Sequence, residues 1–213
     1  GEYGVNVVSL PHDLSDNAAP QTLFDQLQEQ NRTVDVLVNN AGFGDNTAFA
    51  TSDWDKQNSM LQLNIVALSH LTRLFLPGMV KQGSGQVLND ASIAAFQPGP
   101  YMAVYYASKA YVLSFTEAIA AELQDAGVTA LALCPGPTQS NFQDRSNLND
   151  FDLFSSDKIP TAAEVAQYGY DALQRNETVA VHGAINKALT FSNRLFPRAM
   201  IVNAIANFQK PKS

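Results

Sequence analysis

Val34-Asp35-Val36-Leu37-Val38-Asn39-Asn40-Ala41-Gly42 is the stretch that decides the fold. Its Val/Leu run is apolar on both faces and too short for a core helix, which is the pattern of a strand covered by helices on each side. The Asn-Asn-Ala-Gly that ends it combines hydrogen-bonding side chains with two residues small enough to let a ligand approach the backbone.

Working outward, strand-like and helix-like segments alternate. Upstream, Val5 to Leu10 reads as a strand, and Gln21 to Gln30 carries a helical pattern through Leu23, Phe24 and Leu27. Downstream, a long helix enters at Thr51 and Ser52. It carries Met60, Leu61, Ile65, Leu68, Leu71 and Phe75 and is expected to break near Pro77 and Gly78. Gln86 to Leu88 begins a further strand. A second long helix runs from about Met102 to Gln124 and stops at Gly127. Val128 to Cys134 is again a buried strand, halted by Pro135-Gly136-Pro137. Gln139 to Ser156 reads as a long polar loop with a short helix, and Thr161-Ala162-Ala163-Glu164 is a capping box that opens a helix. Val179 to His182 is a last strand. There is no repeat and no linker, so residues 1–213 are expected to form one domain. Alternating β and α segments with apolar strands specify an α/β fold with a doubly wound parallel sheet.

Composition narrows the function. Apolar residues make up 46% and charged residues 15%, which suits a packed core. The net charge of −7 leaves no basic stripe for a nucleic-acid partner. The single cysteine, Cys134, forms no internal disulfide and points to a reducing, cytoplasmic setting. No signal peptide opens the chain, and no apolar run is long enough to span a bilayer. The tail from Ile185 to Phe208, with Lys187, Arg194 and Arg198, reads as an oligomer or core helix in preference to a membrane anchor. His12, His70 and His182 lack ligand spacing, so no metal site is expected.

In an open parallel sheet, ligands gather beyond the carboxyl ends of the strands. Asn39-Asn40-Ala41-Gly42, Ser92 and Pro135-Gly136-Pro137-Thr138 each follow a strand. Tyr105 and Lys109 lie four apart at a helix start and so share one face. A phenol ionises near about pH 10, and a neighbouring ammonium favours its anion. Ser92 can hold a substrate oxygen while Tyr105 exchanges a proton with it, which suits an alcohol or carbonyl with hydride handled by a separate cofactor.

These residues resemble the ordered signature of the classical short-chain dehydrogenases/reductases: Asn39-Asn40-Ala41-Gly42, Asn64, Ser92, Tyr105-x-x-x-Lys109 and Pro135-Gly136-x-Thr138. The likeness runs from about Val5 to Phe142. Tyr-x-x-x-Lys alone is a weak signal, but five motifs in family order are a strong one. The resemblance implies a Rossmann-like fold and an NAD- or NADP-dependent oxidoreductase acting on a small-molecule alcohol/carbonyl pair. It implies that Tyr105 is the acid/base and that Ser92 orients substrate. Lys109 would hold the cofactor ribose and lower the Tyr105 pKa, while Asn64 anchors a water in a proton relay. Asp13 and Leu14 would contact the adenine end. Asn40, Ala41, Gly42, Pro135, Gly136 and Thr138, with Tyr105 and Lys109, complete the cofactor set.

Two features depart from the family pattern. No G-x-x-x-G-x-G occurs in the chain, so the phosphate-binding first strand–turn–helix and the second strand are expected to be absent, with cofactor binding by this chain weak or lost. Asp90 stands where the family places an apolar residue, and a carboxylate buried there without a partner would be costly. Both leave open a degenerate, non-catalytic binding protein or an incomplete gene product. An unpaired edge at the Val34 strand, with apolar residues on several faces of the two long helices (Leu63, Val66, Leu74, Tyr111, Phe115 and Ile119), predicts a homo-oligomer.

Overall fold

The computed structural model describes residues 4–148 and 159–210. Four parallel strands form one sheet in the order β1 (Val36–Asn39), β2 (Gly85–Asp90), β3 (Val128–Cys134), β4 (Val179–Val181). Register is set by pairs such as Leu37 with Val87 and Leu88 with Leu131. Helices connect and cover them: α1 (Ala19–Glu29), α2 (Trp54–Leu61), α3 (Leu68–Gln82), α4 (Ala103–Glu122), α5 (Phe142–Arg145), α6 (Ala162–Gln174), α7 (Ala184–Ser192) and α8 (Arg198–Gln209).

Side chains alternate across the sheet, as strand geometry requires. Val87 and Ala130 face Leu71, Phe75, Met79 and Ile119 of α3 and α4, with Leu23, Phe24 and Leu27 of α1 packed outside them. Leu88, Leu131 and Leu133 face Val165, Ala172 and Leu173 of α6. Leu131 and Val87 are wholly buried, each contributing about 1.5–3 kcal/mol. The two-sided cover explains the near-continuous apolar run of β3.

Several expectations need correction. Val5 to Leu10 is not a strand: Val7 is 84% exposed, and no described strand lies alongside to complete a ladder. β-rich composition cannot hold an extended segment without a hydrogen-bonding neighbour. The helix does not break at Pro77 and Gly78. Both are exposed, so solvent can satisfy the carbonyl that Pro77 leaves without a donor, and α3 continues to Gln82 before Gly83 turns it out at φ 72°. Helix runs unbroken from Trp54 to Gln82 through a π segment, Gln62–Ala67, and in length and composition would suffice to cross a bilayer. Polar residues interrupt its apolar runs, and Leu71, Phe75 and Met79 bury it against the sheet. The apolar residues of the two long helices do lie on more than one face: Ile119 belongs to the core, whereas Val66 and Tyr111 are exposed. The tail is not a core helix: Ile185, Leu189, Phe191, Leu195, Phe196 and Met200 are all more than half exposed. Part of the loop read from Gln139 to Ser156 lies outside the described residues.

Candidate active site

The site forms where β1, β2 and β3 end. Below it lies a polar belt the sequence reading did not foresee. Asn39 Nδ2 donates to Asn89 Oδ1 (2.8 Å) and Thr72 Oγ1 (3.1 Å), and Asn89 Nδ2 donates to Thr116 Oγ1 (2.9 Å). All four residues are buried, and the bonds lock two strand ends to α3 and α4.

Asn64 sits in the π segment, 2% exposed. Its amide donates to the Phe43 carbonyl (3.0 Å) and Ser108 Oγ (3.1 Å), and its oxygen accepts from the Phe43 N–H (3.3 Å). The side chain therefore grips the loop after β1. A π turn widens the helix locally and is a common way to aim one side chain out of register.

Ser92 follows β2. Its hydroxyl accepts from the Ala94 N–H (3.1 Å) and lies 3.5 Å from the Pro135 carbonyl, tying the ends of β2 and β3 together. Tyr105 and Lys109 occupy successive turns of α4, and both are buried. Lys109 Nζ donates to the Asp90 carbonyl at 2.6 Å and lies 3.6 Å from Asp90 Oδ2. The same ammonium lies 5.8 Å from the Tyr105 ring centroid. Asp90 thus has a partner, and the quarter of its side chain that remains accessible opens into the cleft.

The expected lowering of the Tyr105 pKa by Lys109 is not what the structure gives. Burial pushes the phenol well above its ordinary range. A hydrogen bond with Ser92 pulls it partly back, and the charges of Asp90 and Tyr106 add to the rise. Lys109 is instead engaged with Asp90. Burial also raises the Asp90 carboxyl, against the charge and hydrogen bond of Lys109. Cys134 is fully buried and its thiol is pushed up to about 12 by burial, so it is inert.

Asn40, Gly42, Asp90, Ser92, Tyr105, Lys109, Pro135, Gly136 and Thr138 line one cleft of about 310 Å³. Apolar Ile93, Met102, Phe142, Leu148 and Val165 line it as well. Ala41 and Leu14 line a second hollow of about 230 Å³, which meets the first at Asn40. Asp13 is exposed and folds back on Ser15, whose side chain and N–H lower its carboxyl pKa. The structure does not bring Asp13, Leu14 or Ala41 to the cleft that holds Tyr105.

Other residues here went unread in the sequence. Asp45 accepts from Lys56 Nζ (2.6 Å), Gln57 Nε2 (2.8 Å) and Asn147 Nδ2 (2.8 Å), fastening the loop after β1 to α2 and to the segment beyond α5. Set among Gly44 and Asn46, it has the local look of a turn residue. Gln209 reaches Tyr106 OH (2.5 Å), so the end of α8 closes one side of the cleft. Nothing local in the sequence signals that contact.

A four-stranded parallel sheet with a Ser–Tyr–Lys cleft at its carboxyl edge defines an α/β protein of the Rossmann-like class. The short chain dehydrogenase family model matches residues 1–150, and the chain belongs to that family. A ketoacyl reductase, HetN, of Nostoc sp. is 36% identical over 133 residues, covering 62% of this chain and 46% of that protein. The 2-(R)-hydroxypropyl-CoM dehydrogenase of Xanthobacter autotrophicus is 30% identical over 173 residues, covering 77% of this chain and 69% of that one. A short-chain dehydrogenase from Sphingobium yanoikuyae, solved in complex with NADPH, shares the fold with a TM-score of 0.78 at 24% identity. That match covers 100% of this chain and 80% of the solved one. The chain spans about half the length of most curated relatives it matches.

Proposed function

We propose that the protein is an NAD- or NADP-dependent oxidoreductase that interconverts an alcohol and a carbonyl. One observation carries this reading: the Tyr105 phenol, the Ser92 hydroxyl and the Lys109 ammonium face a single cleft beside the glycine-containing ends of β1 and β3. The cleft suits the nicotinamide–ribose half of a dinucleotide. A Cβ at Gly42 would stand 3.2 Å from Asn64 Oδ1 and 3.6 Å from Lys109 Nζ, so the bare backbone keeps that wall open. Asn40, Gly42, Lys109, Pro135, Gly136 and Thr138 would hold that half, and when bound it supplies or accepts the hydride.

The chain's own part is proton chemistry. Burial keeps the Tyr105 phenol protonated, poised to donate to a carbonyl oxygen that Ser92 also holds. A non-catalytic binding protein is the second reading, favoured by the contact of Lys109 with Asp90. Turnover of NADH or NADPH with a panel of aldehydes and ketones separates the two. Tyr105→Phe should lower kcat by roughly a hundredfold or more while leaving the fold intact. Equal rates in the wild type and Tyr105→Phe would remove Tyr105 from the mechanism. Exposed Val66 and Tyr111 and the stacked Tyr111–Phe115 pair support a homo-oligomer through the long helices.

A further inference from the structure

The charge of this chain is segregated. Residues 178–213 contain Lys187, Arg194, Arg198, Lys210 and Lys212 and no Asp or Glu. The residues before them hold the other 8 of 13 Lys/Arg and all 20 Asp/Glu. This basic segment is also where large apolar side chains stand in solvent. Ile185 (77%), Leu195 (68%), Phe191 (61%), Met200 (58%) and Phe196 (55%) are exposed on or between α7 and α8. Lys187, Arg194 and Arg198 are exposed among them.

The segment is anchored beside the cleft. Asn193 Nδ2 bonds Gln97 Oε1, the Gln209 carbonyl accepts from Asn46 Nδ2 (3.2 Å), and Gln97, Phe208 and Gln209 line the cleft wall. The segment that carries the apolar and basic face therefore also forms part of the wall of a cleft with many apolar lining residues.

From this arrangement we infer that residues 184–209 form an interfacial face that seats the protein on an anionic lipid bilayer, with the cleft mouth toward the membrane. Exposed Phe, Leu, Ile and Met can enter the headgroup–acyl boundary while Lys and Arg meet anionic lipid phosphates, the composition of helices that lie in a membrane surface. The rest of the chain, with its excess of acid, is repelled from such a surface, which fixes the orientation. A second copy is a poorer occupant. A two-fold interface through this face would set the same basic surface against itself, because an isologous contact places identical patches opposite each other. The corollary that the alcohol or carbonyl substrate is a lipid-dissolved, apolar molecule rests on the proposed oxidoreductase function. The docking itself does not.

Co-sedimentation of the full chain with vesicles tests the inference. Binding is expected to vesicles of phosphatidylcholine with roughly one third phosphatidylglycerol, and to be at least tenfold weaker to phosphatidylcholine alone. High salt should weaken it, as screening shortens the reach of the charges, and leave the residual binding that the inserted apolar side chains supply. Arg194→Glu/Arg198→Glu should lose anionic-vesicle binding about tenfold or more with an unchanged circular dichroism spectrum. Phe191→Ser/Leu195→Ser should weaken binding at low and high salt alike, which a purely electrostatic contact would not show. Equal partitioning to both vesicle types, or wild-type binding by the charge-reversed variant, would overturn the inference. So would a concentration-dependent dimer that Arg194→Glu/Arg198→Glu dissociates and that excludes vesicles. No step requires cofactor or turnover, so an inactive protein that still binds anionic vesicles would overturn the enzymatic reading alone.

Discussion

Replacing Asp45 by Ala isolates the hub that holds the cleft loop in place. The carboxylate is 3% exposed and accepts three hydrogen bonds, from Lys56, Gln57 and Asn147. Lys56 and Asn147 retain access to solvent and can be rehydrated, but the Gln57 amide is buried and would be orphaned. A lost charge-assisted bond plus one orphaned buried donor costs about 3 kcal/mol, at the low end for breaking a buried pair because the remaining cation is not trapped. In a domain of this size that is a fall in Tm of roughly 10 °C. Thermal unfolding followed by circular dichroism measures it. Asp45→Asn separates charge from volume. All three neighbours are donors, so an amide NH₂ turned toward them repels where the carboxylate attracted, and at least half the loss should persist. A Tm for Asp45→Ala within about 2 °C of the wild type would refute the assignment of this carboxylate as the anchor.

Other outcomes follow from the same contacts. The Asp90 carboxyl is raised in the folded state, so its stabilising contribution is complete below the ordinary value of 3.8 and is lost as pH rises through the folded value. Asp90→Asn should therefore remove this pH-dependent loss between acid and neutral pH, on top of a constant cost for leaving the buried Lys109 ammonium without its counter-charge. Urea midpoints across pH should show that slope, and a pH-independent difference would contradict it. Gly136→Ala would place a Cβ 2.4 Å from Asn186 Nδ2, displacing a side chain that bonds the His182 carbonyl. A loss of about 1–3 kcal/mol, read from urea denaturation, is expected from that overpacking. Sedimentation velocity should show concentration-dependent association that Tyr111→Asp weakens; a monomer at all concentrations would count against the helix-pair interface.

The alternation of Val34–Val38, Gln86–Leu88 and Val128–Cys134 with helical periods was enough to specify a parallel α/β sheet. Buried parallel strands must be apolar on both faces, and that is a local property of sequence. The same logic located Asn40, Gly42, Ser92, Tyr105, Lys109 and Gly136, because residues that follow parallel strands, or open the next helix, are delivered to one edge. Pairing and burial are not local, and there sequence reading stopped. Val5–Leu10 had strand composition but no neighbouring ladder among the described residues. Asp90 looked orphaned until β2 and α4 packed Lys109 against it, and the burial of Tyr105, with the charge of Asp90 nearby, reversed the expected shift of the phenol. Asp45 went unread until Lys56 and Gln57 of α2 and Asn147 beyond α5 converged on it from two segments. The tail's amphipathic pattern was equally compatible with core and with surface; only packing against the cleft wall decided which side chains were left in water. A contact between distant segments carries no local signature, because its free energy exists only once the chain has closed the loop that brings both partners together.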